Sequence, residues 1–255
     1  MLPDTDLGGP HAAFPNTQLS AVRAAGSADE AARRPACERI IRAYWKPLYK
    51  YIRLKWRCDA ERAKDLTQGF FSDVIERGLI ARFDSTRSAF RTYLRTCADG
   101  FVSNEMKAAG RIKRGGHVAV LPLDFGTAEG EISAAEQIAS QDGAADPAAA
   151  FDHEWLRSLM EQSVDALRMY CHRRGWAGHF ALFEQYDLCD EPQRESTTYQ
   201  LLGERHGLSE SQVTNRLFAV RREFRRILLE QLRDICGSDE EFRDEARRWL
   251  GSEPH

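Results

Sequence analysis

Three carboxylates stand close together in AKDLTQGFFSDVIE: Asp65, Asp73 and Glu76. Such a set could hold a divalent cation for hydrolysis or phosphoryl transfer. On a helix, however, these three are too spread to converge on one ion, and no histidine stands near them. Cys171 and His172 are adjacent, so on a helix they point apart. The chain has no HExxH, GxSxG or Gly-rich phosphate loop. No constellation for covalent chemistry is left, so the sequence reads as a non-enzyme that needs no metal or other cofactor.

Its chemistry is that of recognition. Residues 197–232 read TTYQLLGERHGLSESQVTNRLFAVRREFRRILLEQL. Thr197 with Gln200, and Ser209 with Gln212, have the spacing of capping boxes, which marks two helix starts. Gly207 falls between them, giving the helix, tight turn and helix of a helix-turn-helix. Val213, Leu217, Val220, Phe224 and Leu228 form the apolar stripe of the second helix. The opposite face carries Thr214, Asn215, Phe218, Arg221, Arg222 and Arg225, with Arg216 at its edge. Early polar residues followed by arginines suit a helix that enters the major groove and also reaches phosphates. Between Arg221 and Arg226 only Glu223 offers local pairing, so these cations are expected to face a nucleic acid.

A second polar feature is DLTQGFF. Leu66, Phe70, Phe71 and Val74 spread over one broad side of a helix, and Glu61, Asp65, Gln68 and Ser72 share the other. A third is the following segment. It holds Arg82, Arg87, Arg91, Arg95, Lys107, Arg111, Lys113 and Arg114 with Phe90, Tyr93 and Phe101 interleaved. Cations between aromatics suit single-stranded nucleic acid, where phosphates meet charge and bases stack. The same aromatics could equally fill a core.

These features need elements to position them. The chain has 255 residues, 42% of them hydrophobic, which is enough for one large or two small cored domains. The net charge of −3 means that any affinity for nucleic acid must be local. No apolar run is long enough for a membrane span, no secretion signal opens the chain, and the 6 cysteines are scattered; a cytoplasmic protein with free thiols is expected. Helical periodicity runs from about Asp29 to Gly78, with a kink or break at Pro47, an N-cap at Asp59 and Gly78 as the terminating residue. Further helices are expected over 88–97 and 101–114, with a loop from Asp99 to Asn104. Residues 115–150 are rich in Gly and Ala and carry acids without Lys or Arg. They read as a flexible, mostly non-periodic acidic linker with a short strand-like piece at 118–123. A second helical block begins at Phe151. The expected fold is all-α: a tail over 1–16, a helical module over 17–114, the linker over 115–150, a helix-turn-helix module over 151–235 and a short helical tail over 236–255.

The stretches AYWKPLYKYIR, AKDLTQGFF, FRTYL, NEMKAAGRIKRGG and LSESQVTNRL, in this order and spacing, resemble bacterial RNA polymerase sigma factors. They are most similar to the extracytoplasmic-function group, in a planctomycete-like subtype, over roughly residues 17–250. The resemblance implies a factor that directs promoter recognition, DNA melting and transcription initiation. Its polar α-helical face, through Asp65, Gln68 and Glu61, would dock on the clamp helices of the largest subunit of core RNA polymerase. Tyr93, Asn104, Lys107, Arg111 and Arg114 would hold the melted minus-ten element, with the 99–104 loop taking a flipped base. Asp99 stands where relatives often have Asn and is not counted among these contacts. Thr214, Asn215, Arg216, Phe218, Arg221 and Arg222 would read the minus-thirty-five element. The partners implied are therefore core polymerase and promoter DNA, both double- and single-stranded. Restraint would come from an anti-sigma factor or from the C-terminal tail through Phe242 and Trp249. The alternative is a helix-turn-helix regulator that acts without polymerase.

Overall fold

The computed structural model describes residues 20–109, 121–139, 146–189 and 197–251. Every regular element among them is helical, as expected. They are α1 (Ala21–Ala25), α2 (Glu30–Lys55), α3 (Ala60–Glu76), a 3-10 turn (Leu79–Arg82), α4 (Phe90–Ala109), α5 (Phe125–Ala139), α6 (Pro147–Arg173), α7 (Ala177–Asp187), α8 (Tyr199–His206), α9 (Glu210–Asp234) and α10 (Asp239–Leu250).

Local sequence sets most of the boundaries. Asp59 caps α3 by accepting from the Arg62 amide, and Asp146 caps α6 by accepting from Ala148 ahead of Pro147. Each such cap is worth about 1 kcal/mol. Gly78 takes the left-handed conformation just past the end of α3, with φ 57°. At Pro47 the helix does not break: α2 runs continuously from Glu30 to Lys55. An interior proline costs a helix about 3 kcal/mol. Here Tyr44, Leu48, Tyr49 and Ile52 of the same helix are all within 1% of full burial, and that packing against the core offsets the local cost. The helix pair expected over 88–114 is likewise a single helix, α4, as far as Ala109. Residues 99–104 are therefore helical and not a loop. Asp99 accepts hydrogen bonds from Tyr51 Oη (2.9 Å) and Lys55 Nζ (2.7 Å), so it ties α4 to α2.

The acidic segment departs furthest from its expected form. Instead of a flexible, non-periodic tether, residues 125–139 form α5, which lies along α2. Ala128 and Ile132 are buried, and the Phe125 ring sits edge-on to Trp45 (5.3 Å) and Tyr49 (5.1 Å). Two of the acids that suggested a solvated linker are ion-paired. Glu131 meets Lys46 (2.8 Å) and Lys50 (2.5 Å), and Glu129 meets Arg53 (3.0 Å). Burial alone would raise the Glu131 carboxyl, but Lys46 and Lys50 hold it down to about 2. That depressed value makes its contribution to folding complete above the ordinary carboxylate range and lost only as pH falls toward about 2. Of the expected strand-like piece, residues 118–120 lie outside the described residues, and 121–123 form no strand.

Two hydrophobic clusters result. One gathers α1 to α5, the first half of α6 through Phe151, Trp155 and Leu159, the end of α9 through Leu228 and Leu232, and α10 through Phe242 and Ala246. The other gathers the second half of α6 with α7, α8 and the start of α9 around Leu167, Phe183, Leu202, Val213 and Leu217. Helices α6 and α9 thus belong to both clusters.

The C-terminal helix is fixed to α4 by charge. Glu241 accepts from the amide of Phe90, the first residue of α4, at 2.6 Å, and from Gly237 at 2.8 Å. Arg91, 4% exposed, donates to Glu245 at 2.8 Å and lies 3.2 Å from Asp152 of α6. The Trp155 and Trp249 rings flank its guanidinium at 5.2 and 6.0 Å. Burial pushes the Glu245 carboxyl above its usual range, and Arg91 pulls it back. A buried charge that loses its partner is costly. Glu245→Ala should therefore lower unfolding free energy by about 3 kcal/mol in urea titrations. Arg243→Ala, at an exposed position of the same helix, should stay within about 0.5 kcal/mol.

Candidate nucleic-acid interface and docking face

The helix-turn-helix is built as its spacing implies, with a one-residue shift at its start. Thr198, not Thr197, caps α8 by accepting from the Leu201 amide. Gly207 adopts φ 65° and turns the chain. Ser209 then opens α9 with a complete capping box: Gln212 N donates to Ser209 Oγ, and Ser209 N donates to Gln212 Oε1. A second glycine, Gly203, matters as much. A Cβ on Gly203 would lie 2.5 Å from the Leu208 carbonyl oxygen, so the turn closes against α8 only because Gly203 has no side chain. Leu202, Val213, Leu217 and Val220 are fully buried and lock the two helices together.

That packing turns a defined face outward. Thr214, Asn215, Phe218 and Arg222 are exposed, Phe218 to 66%. Thr214 Oγ1 donates back to the Glu210 carbonyl, which fixes its rotamer. Arg216 is half-buried beside His179, whose imidazole is held below its ordinary value by burial and by that cation. Arg222 keeps its guanidinium 66% exposed, with only a 4.0 Å approach to Glu223.

Arg221 was expected on this face and does something else. It grips Asp187 of α7 with two hydrogen bonds of 2.9 Å, donates to Tyr199 Oη of α8 at 3.2 Å, and lies 5.3 Å over the Tyr186 ring. Its charge is spent within the protein, where it ties α9 to α7 and α8. Arg226 is also paired, with Glu223 at 2.9 Å and Glu230 at 2.7 Å. Asp187 comes from another helix, so linear spacing could not reveal it.

The α4 segment is corrected more heavily. Phe90 is core, and Phe101 packs on Phe70 at 5.8 Å. Tyr93 was expected to stack on a base. Its hydroxyl donates to the Leu79 carbonyl at 2.7 Å, and its ring packs on Phe83 at 5.3 Å. Arg91 is consumed by Glu245 and Asp152, and Arg95 donates to the Ala148 carbonyl. Asn104 and Lys107 remain exposed, one turn apart. Arg111 and Arg114 lie outside the described residues.

On α3 the expected division of faces holds. Leu66, Phe70, Phe71 and Val74 are buried, and Thr67 is buried with its hydroxyl donating to the Ala63 carbonyl. Glu61 and Asp65 are exposed and Gln68 is half-buried on the opposite side. Glu61 approaches Lys64 only at 3.9 Å, and Asp65 enters no ion pair among the described residues. The core fixes this row of acceptors without using it.

No helix among the described residues is long and apolar enough to cross a membrane, and no group of His, Cys, Asp and Glu there is placed to hold a metal ion. No protein-family model matches the chain, and comparison with curated proteins and with solved structures returns no similar one.

The two arginines of the outward helix should separate by experiment. Arg222→Ala should flatten the dependence of log K on log salt for duplex DNA by roughly 0.9, the loss of one phosphate contact, and leave stability unchanged. Arg221→Ala should instead lower the unfolding midpoint by breaking the Asp187 clasp. Equal effects of the two on the salt slope would contradict this division of roles.

Proposed function

We propose that this chain is a promoter-specificity factor for bacterial RNA polymerase, a sigma factor of the extracytoplasmic-function type. One observation carries the reading: a capped helix-turn-helix presents Thr214, Asn215, Phe218 and Arg222, while Glu61, Asp65 and Gln68 form a second outward row on a separate helix, with no ion pair to another helix among the described residues. A regulator that only bound DNA would need the first surface and not the second. In the proposed role α9 enters the major groove of the upstream promoter element. The α3 row accepts hydrogen bonds from a helical coiled coil of the polymerase's largest subunit. Asn104 and Lys107 are the described residues left to meet the melted downstream element.

The role requires no covalent step. The factor would supply binding energy to an otherwise unfavourable unstacking of DNA, and phosphate attraction would give steep salt dependence. Residues 20–109 and α6 to α9 share a core through Trp155 and Leu228. The reading therefore implies that this arrangement opens, at least in part, when the factor meets polymerase.

In vitro transcription with core polymerase on a promoter library tests the proposal. Start sites should appear only when this chain is added. Asp65→Arg should abolish capture of core enzyme while changing stability by less than about 0.5 kcal/mol, because the position is exposed and unpaired. Retained DNA binding with no capture of core enzyme by the unmodified chain would make it a polymerase-independent regulator.

A further inference from the structure

The surface of α2 beneath α5 is a cationic groove with aromatic walls. Lys46, Lys50 and Arg53 follow one another along α2, with Trp45 just before Lys46 and Tyr49 just before Lys50, and Arg157 of α6 closes one side. Helix α5 fills this groove with three groups. The Phe125 ring lies between Trp45 and Tyr49. Glu129 takes Arg53 and the Tyr49 hydroxyl, at 3.0 and 2.7 Å. Glu131 takes Lys46, Lys50 and Arg157 together. Glu154 and Glu161 of α6 also reach this cluster, by Lys50 at 3.0 Å and Lys46 at 3.0 Å.

We infer that this groove binds single-stranded nucleic acid and that α5 is its built-in competitor. The occupant of the groove presents a flat ring followed by anions, which is the chemistry of a base followed by phosphates. Alternating cations and aromatics are what a single strand uses, through phosphate contacts and stacking. With α5 lifted, the three cations Lys46, Lys50 and Arg157 would still meet the two acids Glu154 and Glu161, and Arg53 would keep its bond to the Cys58 carbonyl, so cations would outnumber those acids in the groove. Ion pairs of this kind add little net stability, because desolvation offsets their attraction. Phosphates could therefore replace the two carboxylates at small cost. A duplex fits less well, since its bases are stacked away from the Trp45 and Tyr49 slot. The groove shares no residue with the α3 row of Glu61, Asp65 and Gln68 proposed to meet polymerase.

The test uses the full chain without polymerase and a short labelled oligothymidylate. Glu129→Gln/Glu131→Gln should bind it about tenfold more tightly than the unmodified chain, with a salt slope steeper by roughly 0.7 per added phosphate contact. Adding Lys46→Gln and Arg53→Gln should erase the gain. The charge-matched Glu30→Gln/Glu76→Gln chain, altered at exposed sites away from the groove, should show none. In the unmodified chain, saturating oligonucleotide should raise hydrogen exchange at amides 125–132. Unchanged exchange there, or a gain that survives loss of Lys46 and Arg53, would overturn the inference. Equal displacement of α5 by oligoglutamate would overturn it too, in favour of an acidic peptide. None of these outcomes bears on capture of core polymerase.

Discussion

The structure depends on α6 being one uninterrupted helix. Its first half places Phe151, Trp155 and Leu159 against α2, and its second half places Leu167 and Cys171 against the helix-turn-helix. A rigid rod shared by two cores fixes their separation and orientation. Helix α9 makes the same double commitment from the other direction, since Val213 and Leu217 serve one core and Leu228 and Leu232 the other. The outward residues of α9 owe their exposure to this frame. Once both ends of the helix are buried along one stripe, Asn215, Phe218 and Arg222 have no course but outward.

Charge is the second organising force, and it works mainly inside the molecule. Arg91 bridges α4, α6 and α10. Arg221 bridges α7, α8 and α9. Lys46 and Lys50 bridge α2, α5 and α6. Each of these cations meets acids from helices far away in sequence. These cations are therefore committed to holding helices together, and are not part of a free basic surface.

This explains what was legible in the sequence and what was not. Helix type, the caps at Asp59 and Ser209, the glycine turns at Gly78 and Gly207, and the two faces of α3 all follow from interactions within a few residues, and all were readable. The α5 segment differs from its expected form because its conformation is decided by a distant partner, the Lys46, Lys50 and Arg53 row, and the helix continues through Pro47 because the burial of α2 outweighs a local cost. The candidate sites divide the same way. Glu61, Asp65, Thr214, Asn215 and Phe218 are exposed because local periodicity exposes them. Tyr93 and Arg221 had the right residue types for DNA contact. The Leu79 carbonyl and Asp187 claim them, and neither partner is visible from linear spacing. Gly203 left a faint signal, a glycine inside a short helix beside a turn, which a close-approach argument could have used.

The proposed function joins two outward-facing surfaces, the α3 acceptor row and the Thr214, Asn215, Phe218 and Arg222 face of α9. Its central claim is that the α3 row meets polymerase. A photo-crosslinking residue placed at Gln68, with purified core RNA polymerase, tests this most directly. The account predicts a covalent adduct on the largest subunit, absent when the same probe is moved to Met169, which is exposed on a different helix. No adduct from position 68, or equal adducts from both positions, would contradict it.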